Sequence, residues 1–394
     1  MNQNDIQRSM KDKFIATHIG GRSGSIGFPK DTSFNDSIGY IIFEADKNCI
    51  EQIKQKNPNA KVYPYFIGEK SGKVDFNINY SLFYSSVYDF NKKYKNYFRN
   101  KPGYDLVFEN AYKVIKKINL EATSLDELLE KKVIPNIDFL SMNTEGSEYA
   151  ILKGAKQSLK NIVAIETEIN FIDRYKNSKL FSDIDQFLKD NNFIWAGVSA
   201  WGEYNTKRIQ MEFRGRNMPL GCNALYLLDP NSIQSEDMSV AKLEKLAFAS
   251  IVFGYTGIAF DALEKVYNIK SSFNTSLSYQ KFLKEFYFKI KNSKNPLPEL
   301  WHNKFSFEDI EKQFLAENLN HDYYKLNIFQ KSIYRIKKDP ILFLKIALNF
   351  LYKKIFFKVL ENFPITINFK KKYSKFGKFL KKYKLHLAAE NFKY

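Results

Sequence analysis

Short apolar runs, each stopped by a glycine, an acid or a polar cluster, recur through the first 230 positions of the chain. Phe14-Ile-Ala-Thr-His-Ile19 stops at Gly20-Gly21, and Tyr40-Ile-Ile-Phe43 ends on Glu44. Runs of this length bounded by turn signals predict buried strands. Ile137-Asp-Phe-Leu-Ser-Met142, Ile162-Val-Ala-Ile-Glu166, Phe193 to Val198 and Asn223 to Leu228 predict four more. Ala60 to Ile67 and Lys73 to Ile78 predict a further two, the second a candidate antiparallel strand. Helical spacing falls between them. Asn48 to Lys56 places Ile50 and Ile53 on one face, and Leu125 to Lys131 follows Thr123 or Ser124 as N-cap. Tyr149 to Leu159 and Phe181 to Asp190 complete the set. Strands alternating with helices predict an α/β fold, a doubly wound and mainly parallel sheet. In such sheets ligands bind beyond the carboxyl ends of the strands.

After Asp229-Pro230 the strand pattern gives way to helical spacing. Val240 to Phe253 and Ala259 to Tyr267 predict two helices joined at Gly254-Tyr-Thr-Gly257, and Tyr279 to Ile290 predicts a third. Ser306-Phe-Glu-Asp309 is a capping signature, and Asp339-Pro340 places an N-cap before a proline. From Ile341 to Val359 apolar residues recur every three or four positions, with Lys345, Lys353, Lys354 and Lys358 off that stripe. The expected organisation is an α/β domain over 1–230, a helical domain over 231–330, and basic amphipathic helices over 331–394.

Charge sharpens the last boundary. The net charge is +18, but residues 331–394 hold 17 basic and 3 acidic side chains, so the tail accounts for +14. The overall charge balance therefore places the expected attraction to anionic partners on the tail. Its lysines from Lys370 to Lys384, interleaved with Phe376 and Phe379, fit an anionic membrane interface. Phosphates of a nucleic acid are the weaker alternative. The chain has two cysteines and four histidines and neither a CxxC nor an HxxxH spacing, so no metal site is expected. The N-terminus lacks a basic start and apolar core, and no stretch reaches roughly 18 uninterrupted apolar residues. The expected location is the cytoplasm, with peripheral attachment at the inner face of the membrane through the tail.

Three segments carry candidate chemistry. Gly20-Gly21-Arg22-Ser23-Gly24 follows a strand, where glycines let backbone approach a ligand. Phe43-Glu44-Ala45-Asp46 ends the next strand, and an acid placed there can accept both ribose hydroxyls of an adenosine. Phe139-Leu-Ser-Met-Asn-Thr-Glu-Gly-Ser-Glu148 puts polar groups at a strand end before a helix. Glu145 and Glu148 are three apart, which on a helix would set them on one face. The bland reading of the last segment is a helix start enriched in acids to suit the dipole.

Taken in order, these segments resemble the FkbM-type methyltransferases. Those enzymes read Phe-Leu-Lys-Ile-Asp-Val-Glu-Gly-x-Glu followed by x-x-Leu-x-Gly-Ala. The chain matches at Phe139, Leu140, Glu145, Gly146, Glu148, Leu152, Gly154 and Ala155. Phe43-Glu44-Ala45-Asp46 matches their Phe-Glu-Pro-Asp, and Ile67-Gly-Glu-Lys-Ser-Gly72 their Gly-Asp-x-x-Gly turn. Ser85-Ser86, Thr123-Ser-Leu-Asp126, Ile165-Glu166, Phe181-Ser-Asp-Ile-Asp185 and Asn223-Ala-Leu-Tyr226 continue the match over about half the chain. The resemblance implies a Rossmann-like class I methyltransferase that binds S-adenosylmethionine through His18, Gly20, Gly21, Gly24, Glu44, Asp46 and Asn143. The pattern departs at two acids. His18-Ile19-Gly20-Gly21 stands where the family has Asp-x-Gly-Ala, and Asn143 replaces the Asp of Lys-Ile-Asp.

The implied reaction is O-methylation of a hydroxyl on a glycan or small-molecule secondary metabolite. Such an acceptor needs alignment and a base. With Asn at 143, the expected catalytic carboxylates are Glu145 and Glu166, with Glu168 and His18 as further candidates. The alternatives are a non-catalytic cofactor-binding or scaffold protein, suggested by His18 and Asn143, and a nucleic-acid methyltransferase. The latter often carries Asn/Asp-Pro-Pro-Tyr/Phe, which this chain does not.

Overall fold

The computed structural model describes residues 13–28, 34, 36–101, 104–204, 217–233 and 238–292. The chain divides into two compact units, and the described residues lie in the one formed by Met1–Ser293 and Leu297–Ala316. The capping signatures at 306–309 and 339–340 and the basic helices expected over 331–394 fall outside the described residues.

In chain order the elements are β1 (Phe14–Ile19), β2 (Ile38–Phe43), α1 (Lys47–Lys56), β3 (Ala60–Tyr63), β4 (Phe66–Ile67) and β5 (Gly72–Asn79). Then come β6 (Phe98–Lys101), β7 (Tyr104–Val107), α2 (Phe108–Ala111), β8 (Val114–Thr123), α3 (Leu125–Glu130), β9 (Phe139–Met142) and α4 (Glu148–Lys153). The series ends with β10 (Ala164–Asn170), α5 (Phe181–Asp190), β11 (Phe193–Tyr204), β12 (Met218–Leu228), α6 (Met238–Val252), α7 (Thr256–Lys270) and α8 (Ser278–Lys291). The main sheet has the order β11-β12-β10-β9-β1-β2-β3. It is parallel except that β12 runs against both β10 and β11. This is the mainly parallel α/β sheet that the apolar runs predict. β1 and β2 are buried at every position, as strands covered on both faces must be.

Helices cover both faces. Phe14, on the face shared by Ala16 and Phe139, packs against Phe248 of α6 with ring centroids 5.2 Å apart. Tyr226, on the opposite face with Ile165, reaches Asp185 of α5. Phe28 fills the space between Phe14 and Phe139, with centroids 5.1 and 5.0 Å away. Lys245 of α6 meets buried Asp138 at 3.0 Å, and Asp138 also accepts the Ile15 amide. The helices after β12 thus share one apolar core with the sheet. Among the described residues no helix is long and apolar enough to cross a membrane.

Three expectations change in detail. The run Ala60 to Ile67 is two strands in two sheets, broken at Pro64, which has no N–H to give a ladder. β4 joins β8 and β5 in a separate three-stranded sheet, and β5 does run antiparallel, to β8. The helix expected over Tyr149 to Leu159 stops at Gly154. A Cβ there would lie 2.5–2.6 Å from the carbonyls of Glu69 and Gly68, so the chain must pass that turn as glycine. Glu145 and Glu148 do not share a helical face, because α4 begins only at Glu148.

Candidate active site

Two of the sequence candidates meet where β1 and β2 end. Gly20 is left-handed at φ 96°, and its amide binds the Phe43 carbonyl. A Cβ on Gly20 would lie 2.1 Å from the Asn143 carbonyl oxygen, so only glycine lets this turn pass the end of β9. Gly21 to Ser23 form a single turn closed by the Gly24 amide on Gly21, and Asn57 holds the Gly24 carbonyl. Glu44 is 9% exposed, and its Oε1 accepts the Asp46 amide at 2.8 Å. Burial pushes the Glu44 carboxyl above its ordinary range, opposed by the Asp46 amide and the Arg22 charge. Asp46 caps α1 through the Asn48 amide and pairs with Arg22 at 2.7 Å. Partial burial pushes Asp46 up, but those two partners outweigh it and hold the carboxyl low. Asn143 sits exposed just past β9, its amide on the Ile19 carbonyl.

His18 is placed differently from these. It is buried, and its Nδ1 lies 3.0 Å from Ser141 Oγ on the neighbouring strand. Burial lowers its pKa to about 4, which the Gly20 carbonyl only partly offsets, so the ring is neutral at pH 7. Glu166 is level with Ser141 in the β9–β10 register and accepts from Ser199 at a bulge in β11. Burial raises the Glu166 carboxyl, with Ser199 and Ser141 opposing. His18, Ser141, Glu166 and Ser199 therefore form a polar row across the sheet, roofed by Gly27.

A second set of charges gathers beyond the ends of β9 and β10. Glu145 lies in the loop after β9 with φ 55°, a left-handed conformation that costs a non-glycine residue roughly 1–3 kcal/mol and marks constrained sites. Its Oε2 accepts from Tyr175 at 2.7 Å and meets Arg174 at 3.0 Å. Arg174 also binds Glu168 at 2.5 Å and gives a hydrogen bond to Tyr112 at 2.9 Å. The loop itself is held by Glu148, whose carboxylate accepts the Thr144 and Gly146 amides and the Thr144 hydroxyl. This is the helix-start role that the acid-rich segment also allowed. Ser86 fixes the Glu145 carbonyl from the other side.

Arg174 is only 2% exposed and lies in an aromatic cluster of Tyr84, Tyr112 and Tyr175. Two carboxylates share its single charge. Burial, and then the Glu168 carboxylate, push the Glu145 carboxyl well above its ordinary range, with Arg174 and Tyr175 opposing. Glu168 Oε2, Arg174 Nε and Asn170 Oδ1 are buried with no hydrogen-bond partner among the described residues. With its carboxyl raised in this way, Glu145 can hold or take a proton near neutral pH.

The structure thus brings Glu145 together with Glu168, and leaves Glu166 with His18 in a different row. Sequence reasoning missed Arg174 and Tyr175. The only signal was an arginine in Phe171-Ile-Asp-Arg-Tyr175, directly after the acids of Glu166-Thr-Glu168. Comparison with known families matches residues 18–194 to the model of the methyltransferase FkbM domain. No curated protein and no solved structure matches the chain.

Proposed function

We propose that this chain, whose residues 18–194 match the model of the methyltransferase FkbM domain, methylates a hydroxyl of a glycan or small-molecule acceptor with S-adenosylmethionine as donor. The observation that carries the reading is the Glu145–Arg174–Glu168 cluster at the carboxyl ends of β9 and β10, on the edge that also holds the Gly20 turn and Glu44. The residues there fit the nucleoside half of the cofactor. The Gly20 turn brings backbone to the strand ends, and Glu44 has a buried carboxylate suited to ribose hydroxyls. At the amino-acid half, Asn143 offers an exposed amide in place of a carboxylate. When bound, S-adenosylmethionine supplies an electrophilic methyl on a sulfonium.

The protein's own part is to orient the acceptor and take its proton. Glu145 is the base in this reading. Its raised proton affinity makes it a stronger base than an exposed carboxylate. Arg174 and Tyr175 fix its orientation. Glu166 is held by Ser141 and Ser199 instead.

Calorimetric titration with S-adenosylmethionine tests the first half. Glu44→Ala should weaken binding about tenfold or more, the equivalent of roughly 1.5–3 kcal/mol for a charge-assisted hydrogen bond. Turnover on glycan pools tests the second, where Glu145→Gln should leave cofactor affinity intact and remove turnover. The neutral, buried His18 favours one rival reading, a cofactor-binding protein without catalysis. Cofactor binding with no turnover by the wild type would select it, and absence of binding at millimolar cofactor would end both.

A further inference from the structure

The loop after β5 exposes side chains that a water-facing loop would not choose. Tyr80 is 72% exposed, Phe83 66% and Leu82 45%. Beside them Val114 and Ile115, at the start of β8, are 37% and 58% exposed. The two segments are one surface. The Tyr80 amide binds the Lys113 carbonyl, and the Ser81 amide binds the Ala111 carbonyl. A register shift between Ile78 and Asn79 leaves adjacent residues of β8 facing solvent together. Contiguous apolar tips of this kind mark interaction sites.

The charge around the tip selects the partner. Lys113 and Lys116 bracket Val114 and Ile115, and both are exposed. Lys95, also exposed, lies on the next turn, where its carbonyl holds Glu109 at the start of α2. Aromatic and leucine side chains flanked by lysines match an anionic bilayer, with apolar groups entering the acyl boundary and ammonium groups on the lipid phosphates. The loop is also tied directly to the charge cluster. The Tyr84 carbonyl accepts from Tyr175, and Ser86 holds Glu145.

We propose that the tip formed by Tyr80, Leu82, Phe83, Val114 and Ile115 docks on an anionic membrane surface and sets the Glu145–Arg174 cluster at the lipid interface. The docking is independent of the methyl-transfer reading, and the experiment reads it whether or not turnover occurs.

The test is hydrogen–deuterium exchange of the full chain with vesicles of phosphatidylcholine alone or mixed with phosphatidylglycerol. Amides of 80–84 and 113–116 should exchange more slowly with the anionic vesicles only. Leu82→Ser with Phe83→Ser should abolish that protection and weaken vesicle binding about tenfold or more. Lys113→Gln with Lys116→Gln should weaken binding at low salt and lose that effect at high salt. Should the serine pair fail to fold, Ile115→Ser gives the same readout at a single exposed site. Vesicle binding with unchanged exchange at the tip would overturn the proposal, since another part of the chain would then make the contact. Protection that grows with protein concentration in the absence of lipid would overturn it in favour of a second copy.

Discussion

Replacing Arg174 with methionine removes the guanidinium that Glu145 and Glu168 share. The side chains are 2%, 13% and 15% exposed, so water can compensate little. Removing one partner of a buried pair costs about 3–5 kcal/mol. An independent route gives the same size. The raised Glu145 carboxyl already holds a proton in the wild type, so the variant must hold a second one to stay neutral, and keeping a carboxyl of ordinary pKa about 4.3 protonated at pH 7 costs about 3.7 kcal/mol. At pH 5 the same proton costs about 1 kcal/mol. The sign follows from linkage. The folded variant binds more protons than the unfolded chain, so its stability falls as pH rises above the unfolded carboxylate value. Urea unfolding of both proteins at pH 5 and pH 7, followed by near-ultraviolet dichroism of the aromatic cluster, should show a deficit of about 4 kcal/mol at pH 7 shrinking to about 1 at pH 5. A deficit equal at both pH values, or below about 1 kcal/mol at pH 7, would refute the shared-charge argument.

Two further changes test the frame that positions the site. Gly20→Ala must place a Cβ against the Asn143 carbonyl at φ 96°, so it should cost more than about 1 kcal/mol and also reduce cofactor affinity, read by thermal unfolding and calorimetry. Phe248→Ala empties the ring that packs on Phe14, Phe34 and Tyr279 and should cost about 3–5 kcal/mol in urea unfolding, while a loss under 1 kcal/mol would mean α6 is not part of the sheet's core.

The strands of the main sheet were legible because burial on both faces forces continuous apolar runs, as in Phe14–Ile19 and Ile38–Phe43. β8 was missed although Ile118-Asn-Leu-Glu-Ala-Thr123 alternates apolar and polar, because its first half, Val114-Ile-Lys-Lys117, is exposed and breaks that alternation. The glycine turn and Glu44 were visible for a similar reason: the strand end beside them is marked by an abrupt change from apolar to polar. The charge cluster was half visible. Glu145 stood in a motif, but its partner Arg174 lies 29 positions later in a segment without periodicity, and only tertiary folding joins them. The roles of Glu145 and Glu148 were also inseparable in sequence, since a left-handed residue before a helix start leaves no mark when it is not glycine.

Glu166 and Glu168 look equivalent in sequence, two acids on the same face of one strand, yet the register of the sheet gives them different work. The β9–β10 pairing ends at Met142 and Thr167. Glu166 falls inside that pairing, level with Ser141, and is consumed by hydroxyls of the sheet. Glu168 falls one step beyond, where β9 has already turned into the loop that carries Glu145. Two residues of strand advance about 6.6 Å, enough to carry Glu168 past the end of the pairing, where it meets Arg174. Arg174 then acts as the joint. It is anchored in the tyrosine cluster on one side and spans the carboxylates of a loop and a strand on the other. If Glu145 is the base, as proposed, a side chain on a left-handed loop residue would otherwise sample several orientations. Here the guanidinium, the Tyr175 hydroxyl and the Ser86 bond to the Glu145 carbonyl restrict it to one, which is the condition for proton transfer to an aligned acceptor.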